Sequence, residues 1–101
     1  MTAPRELRAT RRAERDIRSA FAWWRDHRPD ASHAFRDDLE RAFELLARYP
    51  HIGAQARNPR LVGVRRVHLS RVRYDLYYRV GEMQIEILAL WHSSRGSTPS
   101  I

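Results

Sequence analysis

Residues 71–92, RVRYDLYYRVGEMQIEILALWH, decide the fold because their apolar side chains alternate with polar ones. This period of two is typical of strands that bury one face. The pattern breaks at Gly81-Glu82, a Gly-X pair that suits a two-residue type II′ turn. The segment therefore predicts a β-hairpin with one face against a core.

Counting outward from a two-residue turn fixes the register of this hairpin. The face predicted to meet the core carries Val72, Tyr74, Leu76, Tyr78, Val80, Met83, Ile85, Ile87, Ala89 and Trp91. The opposite, open face is predicted to carry Arg71, Arg73, Asp75, Tyr77, Arg79, Gln84, Glu86, Leu88, Leu90 and His92. The two leucines among arginines indicate a covered surface, either by a partner or by the chain's own helix end or tail.

Residues 61–69, LVGVRRVHL, predict a third strand beside the hairpin. A tight turn after Leu69 would place Arg66 opposite Asp75 and His68 opposite Arg73, both on the open face. The same register puts Arg65 on the core face, where only a bulge or an edge position could accommodate it.

Upstream of these strands the period changes to that of helices. Thr10 is a suitable N-cap for a first helix that stops before Pro29, and Asp30 could cap a second that ends near Pro50. Residues 5–9 could form a short strand. The expected fold is α+β, one domain over residues 1–101. A helical hairpin packs on one face of a small, mostly antiparallel four-stranded sheet, in the order β-α-α-β-β-β.

The charge points to an anionic partner. All 19 basic residues are arginine, and the formal net charge is +7. Residues 57–79 hold seven of these arginines against one acid, Asp75. Arginine pairs in a fork with carboxylates and phosphates, so the partner is either an acidic protein or a nucleic acid.

The order of these elements resembles that of the RelE/ParE superfamily of bacterial toxins, and within it the plasmid-stabilisation ParE branch. The resemblance rests on residues 64–99, with VRR before a hydrophobic residue, Y-x-L-Y-Y-R-V, a tight turn, I-E-I-L, and a terminal H-x-x-R followed by a proline. It implies a toxin held in a hetero-oligomer by an adjacently encoded, ParD-like antitoxin. ParE-type relatives are implicated in inhibiting DNA gyrase, whereas RelE-type relatives cleave mRNA on the ribosome.

The candidate binding residues for antitoxin or target come from the open face and the tail. They are Arg66, Arg71, Arg73, Arg79, Leu88, Leu90, His92 and Arg95. For RNA cleavage, His68 or His92 could be base or acid and Arg95 could hold the phosphate.

Two departures from the RelE pattern favour binding over catalysis. Asp75 stands where RelE-type enzymes carry an arginine, and no aromatic residue follows Trp91. The favoured reading is thus a ParE-like gyrase inhibitor, with a ribosome-dependent mRNA endonuclease as the alternative. A basic nucleic-acid-binding module is the third reading.

Other activities have weaker support in the sequence. The five histidines are scattered, so neither a metal site nor a cofactor is expected. The chain lacks cysteine, and neither a signal peptide nor a membrane-spanning run is recognisable, so a cytoplasmic protein is expected.

Overall fold

The computed structural model describes residues 4–56 and 58–101. Two helices, α1 (Arg11–His27) and α2 (Ser32–Arg48), follow a first strand, β1 (Glu6–Ala9). The other strands are β2 (Ala54–Gln55), β3 (Val64–Leu69), β4 (Tyr74–Val80) and β5 (Gln84–His92). They form one sheet in the order β1-β5-β4-β3-β2, in which only the β1–β5 pair is parallel. The α+β prediction is confirmed, with five strands in the sheet instead of four.

The extra strand lies within residues 51–60, HIGAQARNPR, whose Gly, Asn and Pro predict a loop. β2 has only two residues, and it pairs antiparallel with Arg65 and Arg66 at the edge of the sheet. Gly53, just before it, approaches the sheet so closely that a Cβ would lie 2.6 Å from the Tyr78 hydroxyl oxygen. The loop before β2 is thus fixed by a contact that no alternation pattern encodes.

The predicted N-cap of the first helix is confirmed, whereas the predicted N-cap of the second is wrong. The Thr10 side chain accepts a hydrogen bond of 3.1 Å from the Ala13 N–H and so caps α1. The predicted Asp30 cap is wrong, because Asp30 lies within a 3₁₀ turn, Pro29–Ala31, that joins the helices. The residue before α2 is Ala31, which provides no side-chain cap.

The main core lies between the helices and the sheet, as predicted. Buried residues of α1 and α2 meet those of β3, β4 and β5, together with Val72 from the β3–β4 turn. The helical contribution to this core is Ala13, Ala20, Phe35, Leu39, Ala42 and Leu46.

The predicted register of the hairpin is wrong by two residues at the turn. Val80 pairs with Ile85 and the Gly81 N–H donates to the Gln84 carbonyl over 2.8 Å, so Glu82 and Met83 form the turn in place of Gly81 and Glu82. A type II′ turn needs a positive φ at its glycine, but among the described residues only Gly63 and Arg73 have one. A shift of two leaves each side chain on its predicted face, so Ile85 and Ile87 still face the helices. Met83 is the exception, since it lies in the connection and is 82% exposed.

A β-bulge then reverses the faces at the end of β5. Tyr78 pairs with Ile87 but Tyr77 pairs with Ala89, so Leu88 is the extra residue. Beyond it, Leu90 joins the helix-covered core, whereas Ala89 and Trp91 turn to the other face. The predicted faces of Ala89, Leu90, Trp91 and His92 are therefore wrong.

The turn between β3 and β4 is longer than predicted. Leu69 pairs with Tyr74, so His68 lies opposite Asp75, and Arg66 lies opposite Tyr77. The predicted Arg66–Asp75 and His68–Arg73 pairs are wrong. Arg65 does lie on the helix side, where its guanidinium donates to the carbonyls of His51 and Gly53 beneath the sheet edge. The edge position expected for it is wrong, because β2 pairs with Arg65 and itself forms the edge of the sheet.

A second, smaller core covers the other face of the sheet. It contains Leu61, Val64, Tyr77, Leu88 and Ala89. Leu88 is 3% exposed because the chain's own segment around Leu61 covers it. The chain itself thus accounts for the leucine predicted among arginines. Within the described residues, no helix is both long and apolar enough to cross a membrane.

Candidate functional site

An open cleft of about 890 Å³ lies between α1, the β3–β4 turn and the end of β5. We call it the arginine cleft. Its arginine side chains are Arg12, Arg15, Arg28, Arg71, Arg73 and Arg95. One carboxylate, Asp16, and one histidine, His92, also line it.

Two of the six guanidinium groups are already paired with carboxylates. Arg12 Nε donates to Asp16 Oδ2 over 2.9 Å. Arg71 donates to Asp38 Oδ1 over 2.6 Å, and this hydrogen bond raises the pKa of the Arg71 guanidinium. Arg71 was predicted on the open sheet face, but it lies in the turn and joins β4 to the buried Asp38 of α2. Arg71 therefore stabilises the fold through its pair with Asp38.

The other four arginines keep their charge available to a ligand. Arg15, Arg28, Arg73 and Arg95 are exposed, and no carboxylate within residues 4–56 and 58–101 forms a salt bridge with them. Asp16 brings one negative charge to the cleft against six guanidinium groups, and its Oδ2 also accepts a hydrogen bond of 3.1 Å from the Leu90 N–H. The arginine cleft is therefore a strongly positive surface.

Arg73 holds a backbone conformation that L-residues seldom adopt. Its φ is 65°, in the left-handed region that favours glycine. Its carbonyl accepts hydrogen bonds of 2.9 Å from both the backbone N–H and the hydroxyl of Ser93. The end of β5 thus holds the strained turn in place and directs an arginine to the cleft.

Aromatic rings form the other part of the lining. Trp23 is 45% exposed and stacks on His27 at 4.7 Å between ring centroids. Tyr74 and His92 meet edge to face at 5.1 Å, and burial raises the pKa of the Tyr74 hydroxyl. These rings give the cleft apolar surface between its charges.

The tail after β5 packs over Trp91. The Arg95 guanidinium lies 4.3 Å from the centroid of the Trp91 ring, and Arg12 lies 5.8 Å from it. The indole N–H donates to the Ser97 carbonyl over 2.8 Å, and Arg12 donates to the carbonyl of Ser100. The tail is thereby ordered against the sheet.

A separate polar cluster lies on the other face of the sheet. We call Arg66, His68, Asp75 and Tyr77 the sheet-face cluster. His68 Nδ1 and Asp75 Oδ1 are 2.8 Å apart, and Asp75 is buried while His68 is half exposed. Burial, with the nearby charge of Asp75, raises the pKa of the Tyr77 hydroxyl. A second groove of about 640 Å³ runs beside this cluster to Arg95 and the tail.

The structure divides the sequence-predicted site residues between these two places. Arg71, Arg73, Leu90 and His92 line the arginine cleft, whereas Arg66 lines the second groove. Arg95 lines both. Arg79 and Leu88 line neither. His68 and His92 lie on different faces, so they do not form a single catalytic set.

Sequence reasoning missed the α1 side of the cleft. Arg12, Arg15, Ser19 and Trp23 all line it. Their spacing of three and four residues puts them on one stripe of the helix. That stripe borders the buried one, so the signal was present beside the apolar pattern that identified the helix.

No group of three or more potential metal-ligating side chains occurs in the part of the chain that the structure describes. The two sites contain guanidinium groups, one imidazole each and aromatic rings, which suit the binding of an anion.

Comparison with known proteins identifies a family over most of the chain. Residues 7–96 match the model of the ParE toxin of the type II toxin–antitoxin system parDE. Among solved structures, a chain from the chromosomal ParDE toxin–antitoxin system of P. aeruginosa is similar, with a TM-score of 0.72 and 21% sequence identity over 90% of this chain and 98% of that one.

A chain of the toxin–antitoxin complex RelBE2 from Mycobacterium tuberculosis is also similar. Its TM-score is 0.62 and its identity 28%, over 88% of this chain and 98% of that one. No curated protein sequence matches the chain.

Proposed function

Because the chain belongs to the family of ParE toxins of type II toxin–antitoxin systems, we propose that it inhibits DNA gyrase by protein binding. In this proposal a cognate, ParD-like antitoxin encoded beside it neutralises the toxin in a hetero-oligomer. The toxin acts in the bacterial cytoplasm, where it serves the stabilisation of a plasmid or another replicon. The family match over residues 7–96 is the observation that carries the proposal.

The charges support the antitoxin part of the proposal. Four arginines that have no carboxylate partner within residues 4–56 and 58–101 line one cleft with exposed aromatic surface. An acidic segment of the antitoxin would neutralise these charges and cover the rings, as occurs when disordered segments fold on binding. Arg73 is a better probe of this surface than Arg71, since charge reversal of Arg71 would also disrupt its pair with Asp38.

The test of function is expression and purification of the full chain without a partner. We expect growth arrest, and inhibition of supercoiling by purified gyrase, with transcripts left intact. Arg73→Glu in the cleft and Arg18→Glu outside it change the net charge equally, so comparing equal amounts of the two in the same assay separates binding through the cleft from bulk positive charge. Unimpaired growth and unimpaired supercoiling would contradict the proposal.

One observation favours a second candidate, cleavage of RNA. Asp75 stands where RelE-type enzymes carry an arginine, yet its carboxylate contacts His68 Nδ1. A carboxylate in this position orients the imidazole and leaves Nε2 free to act as a base. His68 could then take the proton of a 2′-hydroxyl whose oxygen attacks phosphorus. The products would be a 2′,3′-cyclic phosphate and a 5′-hydroxyl, with the leaving oxygen protonated by Tyr77 and the phosphate held by Arg66.

The two candidates separate in one experiment with ribosomes and a defined transcript. Cleavage that His68→Asn abolishes, with gyrase unaffected, would replace the favoured proposal. An intact transcript under conditions that stop supercoiling would remove the second candidate.

A further inference from the structure

The last part of β5 has a free edge that opens into the arginine cleft. β1 pairs only with residues 84–87 of β5, and β4 lies on the other side. In the part of the chain that the structure describes, residues 88–92 therefore have no neighbouring strand on the β1 side. Leu90, Trp91 and His92 from this stretch line the cleft.

Some backbone groups along this edge are already satisfied within the chain. The Leu88 carbonyl accepts a hydrogen bond of 3.4 Å from the Thr10 hydroxyl. The Leu90 N–H donates to Asp16, and the His92 carbonyl accepts a hydrogen bond of 3.1 Å from the Arg95 N–H. Side chains and the following turn thus occupy both ends of the edge.

One donor and one acceptor remain between these ends. The N–H and carbonyl of a strand residue point to the same side, and the side alternates along the strand. Since the Leu90 N–H points away from β4, the Leu90 carbonyl and the His92 N–H do so as well. Within residues 4–56 and 58–101, neither group has a hydrogen-bond partner. They flank Trp91 and face the cleft.

This pair of groups selects the direction of an added strand. A residue in a parallel ladder donates to the carbonyl of one residue and accepts from the N–H two positions further along. The Leu90 carbonyl and the His92 N–H have this spacing. An antiparallel hydrogen-bonded pair would need both groups of Leu90 or both of His92, and one of each is taken. The edge thus fits a parallel segment in line with β1.

The surrounding charge selects the side chains of such a segment. Arg15, Arg28, Arg73 and Arg95 line the same cleft and have no carboxylate partner among the described residues. Arg73 is kept in a left-handed conformation that glycine would adopt at lower cost. A strained arginine beside an open strand edge indicates that its guanidinium is used there.

We propose that the arginine cleft binds an acidic, extended peptide segment, which adds to β5 as a short parallel strand beside residues 90–92. Main-chain hydrogen bonds at Leu90 and His92 set its register, and carboxylates bind the four unpaired arginines. If the proposed function holds, the antitoxin supplies this segment. The binding mode itself depends only on the cleft.

The probe is an acetylated and amidated octapeptide of alternating glutamate and valine, titrated into the ¹⁵N-labelled full chain. We expect the His92 amide resonance to move downfield and its hydrogen exchange to slow. The control peptide has the same side chains but a methyl group on every backbone nitrogen. Because it keeps the charge and lacks the N–H donors, we expect its affinity to be lower by about tenfold or more.

Orientation and charge are tested with the same titration. A spin label at the C-terminus of the peptide should broaden Ser93 to Arg95 and leave Ile87 sharp, since the strand is parallel. Arg15→Gln and Arg73→Gly should each weaken binding by about fivefold. Arg18→Gln, on the same helix but outside the cleft, should leave it within about twofold.

Several outcomes would overturn the proposal. They are equal binding of the methylated peptide, an unmoved His92 amide, the opposite spin-label pattern, or no binding at all. Binding of octathymidylate without binding of the peptide would assign the cleft to nucleic acid instead. Gyrase inhibition is measured separately, so its loss would refute the proposed function and leave the peptide result standing, and the reverse also holds.

Discussion

At the scale of single residues, polar contacts fix the parts of the chain that have no periodic pattern. The Tyr78 hydroxyl accepts a hydrogen bond from the Gly53 N–H and donates one to the Pro50 carbonyl, at 2.9 and 2.8 Å. Arg65 donates to the Gly53 carbonyl from the same side. These contacts attach the loop after α2 to the sheet. At the other end of β4, the Arg73 carbonyl accepts hydrogen bonds from Ser93 and so attaches the β3–β4 turn to the end of β5. The backbone of Arg73 is strained in this position.

Replacing Arg73 with glycine should stabilise the fold. A left-handed residue with a side chain costs roughly 1–2 kcal/mol, and the greater freedom of glycine in the unfolded chain returns part of that. We expect the free energy of unfolding in urea to rise by about 0.5–1 kcal/mol. Arg18→Gly within α1 is the opposite control and should lower it by about 1 kcal/mol. A less stable Arg73→Gly protein would mean that the guanidinium supports the fold itself.

Alkaline pH should destabilise the protein through its buried tyrosines. Burial raises the pKa values of Tyr74, Tyr77 and Tyr78 above the ordinary value near 10. As the pH rises, the unfolded chain loses these protons before the folded one does. The contribution of the three tyrosines to stability is therefore fully present below about pH 10 and is lost as the pH rises further. Urea unfolding between pH 8 and 11 would measure the decline.

Tyr78→Phe separates the two contributions of that hydroxyl. At pH 8 its loss leaves the Gly53 N–H and the Pro50 carbonyl without partners, which should cost about 1–3 kcal/mol. Above pH 10 the variant should lose stability less steeply than the natural sequence. Parallel slopes would show that Tyr78 does not contribute to the alkaline transition.

At the scale of elements, the positions of α1 and β5 create the arginine cleft. α1 supplies Arg12, Arg15 and Trp23 from one stripe, and the Thr10 cap fixes where that helix begins. The bulge at Leu88 brings Leu90 into the core and leaves the following edge open to the cleft. A small change in either element would move charges relative to the edge.

Loss of the α1 cap should lower the stability of the fold and weaken the attachment of α1 to β5, which together form the arginine cleft. Thr10→Ala removes the acceptor for the Ala13 N–H and the donor to the Leu88 carbonyl, so we expect a loss of about 1 kcal/mol. Thr10→Ser keeps both groups and should retain most of it. Thermal unfolding of the three proteins compares them, and equal transition temperatures would refute this role for the cap.

At the scale of the whole molecule, the sheet carries a core on each face. Phe35 belongs to the helix-covered core and Leu61 to the smaller one. β4 and β5 contribute to both, Tyr78 and Ile87 on one side and Tyr77 and Leu88 on the other. The two cores should therefore unfold together.

Truncation in either core should destabilise a single cooperative transition. We expect about 3–5 kcal/mol for Phe35→Ala and about 2–4 kcal/mol for Leu61→Ala, because each leaves a cavity. Circular dichroism in the far and near ultraviolet should give coincident urea curves for both variants. A separate early transition in Leu61→Ala would show that the smaller core folds independently.

The sequence by itself determined the class of fold, the two helices and the side that they cover. Apolar periods of 3.6 and 2 carry that information locally, and a register error of two residues leaves every face unchanged. For this reason Ile85 and Ile87 were assigned to the correct face although their partners were wrong.

Only the tertiary structure decided the ends of the strands and the site they form. A bulge adds one residue, which reverses the faces of Ala89 to His92, and no composition pattern signals it. Three side-chain contacts at the sites join residues that no local pattern relates. Arg71 binds Asp38 and Asp16 accepts a hydrogen bond from Leu90, although each pair is distant in sequence. His68 contacts Asp75 across a turn whose length was not predicted. The arginine cleft exists because α1 and the bulged end of β5 meet, and that meeting depends on packing rather than on local pattern.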